Sequence, residues 1–258
     1  MTTTRQNWPE RLWLVRHGQS QGNVARDAAD EAGAHEIDID MRDVDVPLSE
    51  LGRRQAEAAG RWFAALPRTE RPEIILSSPY VRAKQTAAII CEQGALAGGP
   101  AKTIVDERLR EREFGIFDRL TTLGIRERFP DEAAHRRRLG KFYHRPPGGE
   151  SWCDVILRLR SVLDTITREH RRERVLIVGH QVTVNCLRYL FERLSEAEIL
   201  DVDRRADVPN CSVTSYTFDP TAGRNGKLVL DLVNFVAPLT EAGTPVTSAP
   251  DVPAAPKS

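Results

Sequence analysis

What most restricts the fold of this chain is its series of short apolar runs, each ending abruptly and most followed by residues at helical spacing. Val175-Leu176-Ile177-Val178 is apolar at every position and stops at Gly179-His180. A strand apolar on both faces belongs in a parallel sheet covered by helices on both sides. Leu12-Trp13-Leu14-Val15 and Ile74-Ile75-Leu76 have the same character, and Thr103-Ile104-Val105 is another candidate strand. Ser49 offers an N-cap for a helix to about Leu66, with Leu51, Gln55, Ala58, Ala59, Trp62 and Phe63 near helical spacing. Ser78-Pro79 reads as the start of a helix ending near Gly94. A long amphipathic helix follows Gly149-Glu150-Ser151, and another follows His180. Two late strands, 213–218 and 228–235, flank a turn-rich segment and read as a hairpin. Strands alternating with helices predict an α/β fold, a three-layer α/β/α sandwich around a mostly parallel sheet.

The 258 residues suit one such domain over residues 1–237. Residues 24–46 are polar, acid-rich and too irregular for a helix, so they read as a surface excursion. Residues 122–145 are helical and basic without an apolar stripe, which predicts an inserted helical cap over about 116–148. From 238 to 258 the chain turns to Pro, Ala, Thr and Ser and reads as a disordered tail. Acidic and basic residues balance at 37 each, so no positive field gathers nucleic acid. No apolar run approaches the roughly 18–20 residues of a membrane span, and residues 1–11 lack a secretory apolar core. The expectation is a cytoplasmic protein without nucleic-acid or membrane partners. Cys91, Cys153, Cys186 and Cys211 lie too far apart for a zinc or redox pair and read as free thiols.

Ligands of such sheets sit at the carboxyl ends of the strands. That rule selects His17, with Arg16 before it and Gly18 after it, and Asn23 a few residues on. It also selects Arg82, in the first turn of the helix after the second strand, and His180 with Gln181. Two arginines, two histidines and a helix N-terminus describe a pocket for a doubly charged phosphoryl group. The same cations disfavour protonation of His17 and leave a ring nitrogen free to attack phosphorus. Glu111 is the candidate proton donor for a leaving alcohol, although by spacing Glu107 and Glu113 are equally eligible. No HExxH spacing or carboxylate cluster points to a metal.

Leu14-Val15-Arg16-His17-Gly18-Gln19-Ser20 with Asn23 resembles the signature of the histidine phosphatase superfamily, the phosphoglycerate-mutase-like proteins. The resemblance continues through Pro47-Leu48-Ser49-Glu50-Leu51-Gly52, Ser77-Ser78-Pro79 with Arg82 and Thr86, Leu109-Arg110-Glu111, Gly148-Gly149-Glu150-Ser151 and Val178-Gly179-His180. It implies that His17 is the phosphorylated nucleophile, that Arg16, Arg82 and His180 bind the phosphoryl group, that Asn23 assists and that Glu111 is the acid/base. Gly18 and Gln181 would join Asn23 in binding substrate, and neither metal nor cofactor is implied. Two departures bear on the substrate: a long stretch between Asn23 and Pro47, and Ile116-Phe117-Asp118 where many relatives have Trp-Glu-Gly. The segment from Glu111 to Glu150 looks most like a phosphatase branch. The expected activity is a metal-independent phosphomonoester hydrolase that passes a phosphohistidine and acts on a small phosphorylated metabolite. A bisphosphoglycerate-dependent phosphoglycerate mutase and a non-catalytic phospholigand binder are the alternatives. Arg136, Arg137, Arg138, Lys141 and His144 of the cap are expected to read a second anionic group on the substrate.

Overall fold

Alternation within the first apolar run sets the layering. In β1 (Arg11–Arg16), Leu12 and Leu14 join one buried cluster while Trp13 and Val15 join another. The computed structural model describes residues 7–96, 102–223 and 225–248. Its sheet adds β2 (Ile74–Ser77), β3 (Lys102–Val105), β4 (Arg174–Gly179), β5 (Val213–Asp219) and β6 (Lys227–Phe235), in the order β3-β2-β4-β1-β5-β6. The first four of that order are parallel, and β5 and β6 are antiparallel. On one face, the Leu12 cluster takes in Val155, Leu159 and Val162 of α6 (Trp152–Glu169) and Val182 and Leu187 of α7 (Gln181–Glu192). On the other, Trp13 and Val15 meet Ala56, Ala59 and Phe63 of α2 (Glu50–Ala65) and Ala83, Ala87 and Ile90 of α3 (Val81–Gln93). The three-layer sandwich and mostly parallel sheet are as expected.

Three local expectations are corrected, and the helical cap is refined. The stretch after Ser20 begins as a helix, α1 (Gln21–Glu31), because Ser20 and Asn23 close a reciprocal capping box that nucleates it despite weak periodicity. The helix after β2 starts at Val81, not at Ser78-Pro79. The Ser78 hydroxyl is engaged with the His180 ring and the Tyr80 N–H and so is not a cap. The cap is two helices, α4 (Thr122–Arg128) and α5 (Pro130–Tyr143), because Phe129 leaves helical geometry and Pro130 starts the next helix.

The tail, expected to be disordered from 238, is built in as far as 248. A short helix, α9 (Ala237–Glu241), buries Leu239 against the α2 face. Gln55 then donates to the Pro245 carbonyl and the Thr247 hydroxyl, both at 2.9 Å. A low-complexity composition does not prevent ordering where the core supplies an apolar socket and buried polar partners. Residues 249–258 lie outside the described residues. Among the described residues, no helix is long and apolar enough to cross a membrane.

The loop after β1 is pressed against the start of α2. A Cβ on Gly18 would lie 2.4 Å from the Gly52 carbonyl oxygen, and one on Gly52 would lie 2.0 Å from the Gln19 carbonyl oxygen. Both neighbours are backbone and cannot step aside. Gly52→Ala should therefore lower stability by roughly 1–3 kcal/mol, as overpacking does. Thermal melting checks it, and an unchanged melting temperature would mean that α2 can retreat.

Candidate active site

The pairing of β1 with β4 delivers both histidines. Arg16 stands opposite Gly179 in the parallel register, and the His17 N–H donates to the Gly179 carbonyl at 2.9 Å. The two imidazole rings are buried, edge to face, with centroids 5.1 Å apart. Nδ1 of His17 lies 2.7 Å from the Gly18 carbonyl oxygen. A carbonyl only accepts, so Nδ1 carries the proton and Nε2 presents its lone pair. Arg82 Nε donates toward that lone pair at 3.3 Å. Burial first, then Arg82 and Arg16, hold His17 well below the ordinary imidazole range, so the ring is neutral at pH 7.

Arg16 ends β1 and donates through Nη1 to Gln181 Oε1 at 2.9 Å and to the Val208 carbonyl at 2.5 Å. Burial pushes its pKa down to about 10, against Glu111 and Asp207, and it stays cationic at neutral pH. Gln181, the first residue of α7, is held in turn by Asp207 at 3.1 Å. Arg82 is the second residue of α3, and its guanidinium forks onto Asp43: Nη1 to Oδ1 at 2.9 Å and Nη2 to Oδ2 at 3.2 Å. Asn23 spends its Oδ1 on the Ser20 N–H and hydroxyl, so what it can offer an anion is its Nδ2 donor.

Glu111 follows a single helical turn, Glu107–Leu109, in a loop that α6 holds rigidly. Arg158 donates to the Arg108 carbonyl at 2.5 Å and the Glu111 carbonyl at 3.2 Å, and Glu150 takes Arg110 at 2.7 Å and Arg158 at 2.9 Å. Burial alone would raise the Glu150 carboxyl, but Arg158 and Arg110 bring it below its usual value, so it remains a fixed anion. Glu111 Oε1 accepts from the Arg112 N–H at 2.8 Å, and Oε2 lies 3.4 Å from His180 Nδ1. That Nδ1 finds no hydrogen-bond partner among the described residues. Glu113, eligible by spacing, accepts from the Tyr80 hydroxyl at 3.3 Å.

These residues surround a cleft that spans about 820 Å³ with the open solvent at its mouth counted in. Arg16, His17, Asn23, Arg82, Glu111 and Gln181 line it, whereas Glu107 and Glu113 do not. Two of the sequence-selected residues stand behind the wall. Gly18 is not in the lining, and its N–H goes to the Thr86 hydroxyl at 3.1 Å. His180 is fully buried and reaches the cleft through Glu111 and the edge of His17; burial first, then Arg82 and His17, lower its pKa too.

The outer wall comes largely from the two segments that depart from the relatives' pattern, although sequence reading singled out none of their side chains as lining. Arg26, Ile37, Ile39, Met41 and Asp43 come from the excursion, and Phe114, Phe117, Asp118 and Arg119 from the start of the cap. The basic residues 136–138 and 141 do not line the cleft. Lys141 instead pairs with Asp203 of α8 (Glu196–Arg205) at 2.7 Å, which fastens the cap to the body. An anion held between Arg16 and Arg82 would lie within reach of the His17 lone pair, with Glu111 on the same wall for proton transfer.

Known proteins share this arrangement of chain. A 2,3-bisphosphoglycerate-dependent phosphoglycerate mutase of Methylobacterium radiotolerans is 33% identical over 202 residues, 77% of this chain and 86% of the mutase. A 6-phosphofructo-2-kinase/fructose-2,6-bisphosphatase of Caenorhabditis elegans is 31% identical over 224 residues, 83% of this chain and 43% of that longer protein. Among solved structures, a mycobacterial glucosyl-3-phosphoglycerate phosphatase in complex with VO3 superposes with a TM-score of 0.66 at 27% identity, covering 88% of this chain and 100% of that one. The family model for the histidine phosphatase superfamily (branch 1) matches residues 12–230. With that match over most of its length, and with sheet and cleft built as described, the chain belongs to the histidine phosphatase superfamily.

Proposed function

We propose that the protein is a phosphomonoester hydrolase that passes through a phosphohistidine on His17. The observation that carries this reading is the neutral His17 ring, tied at Nδ1 and directing the Nε2 lone pair to the Arg82 guanidinium. Arg16 and Arg82 would hold the equatorial oxygens of the phosphoryl group, with Asn23 and Gln181 completing the lining. Nε2 attacks phosphorus as the ester oxygen leaves and takes the proton of Glu111. In the second step Glu111 removes a proton from water, which attacks the phosphohistidine, and inorganic phosphate departs. His180 acts as a positioning residue for Glu111 and His17. The apolar side of the outer wall, Ile37, Ile39, Met41, Phe114 and Phe117, favours a leaving group with an apolar portion over a small polyanionic one.

A mutase reading draws support from the relative that is 33% identical over most of its length. The two separate cleanly: incubated with a phosphoglycerate and a bisphosphoglycerate, a hydrolase releases phosphate, whereas a mutase interconverts the positional isomers. A phosphate-release screen over sugar phosphates, nucleotides, lipid phosphates and phosphoglycerates, with His17→Ala as blank, identifies the substrate class. The same variant should lose an acid-labile, base-stable phosphoenzyme formed by wild type on rapid quenching; label recovered on another residue removes His17 from the role.

Glu111→Gln should slow hydrolysis of alkyl phosphates by roughly 10²–10⁴-fold, the range of general-acid catalysis, and phosphorylation by a nitrophenyl ester far less. Glu113→Gln, outside the cleft, should leave both rates nearly unchanged. A leaving-group dependence at Glu113 would reverse the assignment.

Asp43 occupies the fork of Arg82 that a phosphoryl oxygen needs. A substrate dianion must displace this carboxylate and then endure its charge, so Asp43→Asn should lower KM by about fivefold, the equivalent of about 1 kcal/mol between like charges 4 Å apart in water. A raised KM would mean that Asp43 aligns Arg82 and does not compete with substrate.

A further inference from the structure

Helix α5 does an unusual thing with its own ends. Glu132 lies in its first turn and His144 caps its last, and twelve residues of straight helix would hold them about 18 Å apart. Yet Nε2 of His144 is 3.4 Å from Glu132 Oε2. The fold-back comes from Gly140, whose φ of 79° and ψ of 161° break the helix and redirect the chain so that the His144 side chain meets that of Glu132. That conformation is open to glycine and strained for any other residue. The fold-back also brings the His144 ring within 5.8 Å, centroid to centroid, of His135, one helical turn beyond Glu132.

One carboxylate and two imidazoles thus converge, with a potential ligand atom on each and all three atoms within 4.8 Å of one another. Among the described residues they are the one such group of His, Cys, Asp and Glu, and they lie apart from His17 and His180. We infer that Glu132, His135 and His144 form a binding site for a divalent transition-metal ion of the zinc class. Two imidazole nitrogens, a carboxylate oxygen and a water make up the tetrahedral set that zinc takes. His135 is exposed, so its side chain can turn the short distance needed to close the set. His144 is fully buried, and its Nδ1 has no hydrogen-bond partner among the described residues.

The consequence reaches the cleft. Phe117 stacks on His144 with an interplanar angle of 8° and centroids 6.3 Å apart, and Phe117 lines the catalytic cleft. An ion clamping the two ends of α5 would fix the wall against which the leaving group packs. The chemistry at His17 needs no part of it.

Calorimetric titration of the chelator-treated full chain with zinc chloride, paired with thermal melting, tests the site. Wild type should bind one ion per chain and melt higher with it. His135→Ala, an exposed change that leaves the core intact, and Glu132→Gln should each weaken binding by at least about tenfold, the lesser effect of removing even a ligand's supporting partner. His17→Ala should bind as wild type does. No binding by wild type, unaltered affinity in both cap variants, or loss of binding in His17→Ala would each overturn the inference. None of those results bears on phosphate release, so the hydrolase reading stands or falls separately.

Discussion

Because β1 and β4 run side by side with Arg16 opposite Gly179, the two chains leave the sheet at one level and His17 is hydrogen-bonded to the end of the neighbouring strand. Everything in the cleft depends on that pairing. It sets the imidazole rings edge to face and brings Arg16 and Gln181, the first residue of α7, into the lining of the cleft. The loop that follows β1 has no freedom to drift, because Gly18 and Gly52 approach backbone to backbone and the Gln19 N–H is taken by the buried Gln55 at 2.9 Å. Gln55 in turn holds the segment around Thr247, and Asn210, bonded to that same segment, donates to the His17 carbonyl at 2.9 Å. The end of the described chain is therefore part of the frame that fixes the histidine.

The electrostatics follow from burial. Two guanidinium groups without nearby counterions would be costly beneath the surface, and each has its remedy. Arg16 donates through Nη1 to Gln181 and the Val208 carbonyl, neutral acceptors that leave its charge to be offset only at a distance by Glu111 and Asp207. Arg82 is paired with Asp43, on a segment whose side chain is 41% exposed and so can yield to a stronger anion. Burial and the two cations lower the pKa of both histidines. Glu111 is positioned from behind: Arg158 of α6 and Glu150, just before that helix, hold its loop through hydrogen bonds.

Much of the site was legible in the sequence for a local reason. His17, Arg82 and His180 stand just past strand ends, and a parallel sheet brings such positions together whatever the rest of the chain does. Glu111 was not separable from Glu107 and Glu113 by spacing, because three acids within one loop point in directions that only tertiary contacts fix. Asp43 was invisible for a stronger reason: it meets Arg82 across 39 residues with no periodicity linking them. The convergence of Glu132 with His144 is likewise absent from any spacing rule, since it depends on the backbone of Gly140.

The alternation of apolar runs with helical segments determined the layers, the parallel core of the sheet and the edge where chemistry would occur, because burial of two-sided strands admits few other solutions. Capping and turn chemistry set the element boundaries wherever it acted alone, as at Ser49 and Gly94. Tertiary structure decided the rest: that Ser78 serves His180 and not a helix, that Lys141 anchors the cap to Asp203 and not a substrate, and that residues 238–248 pack onto the body. In each case a polar or charged side chain had several partners of similar worth open to it locally. The choice fell to whichever one the packed sheet and helices brought within hydrogen-bonding distance.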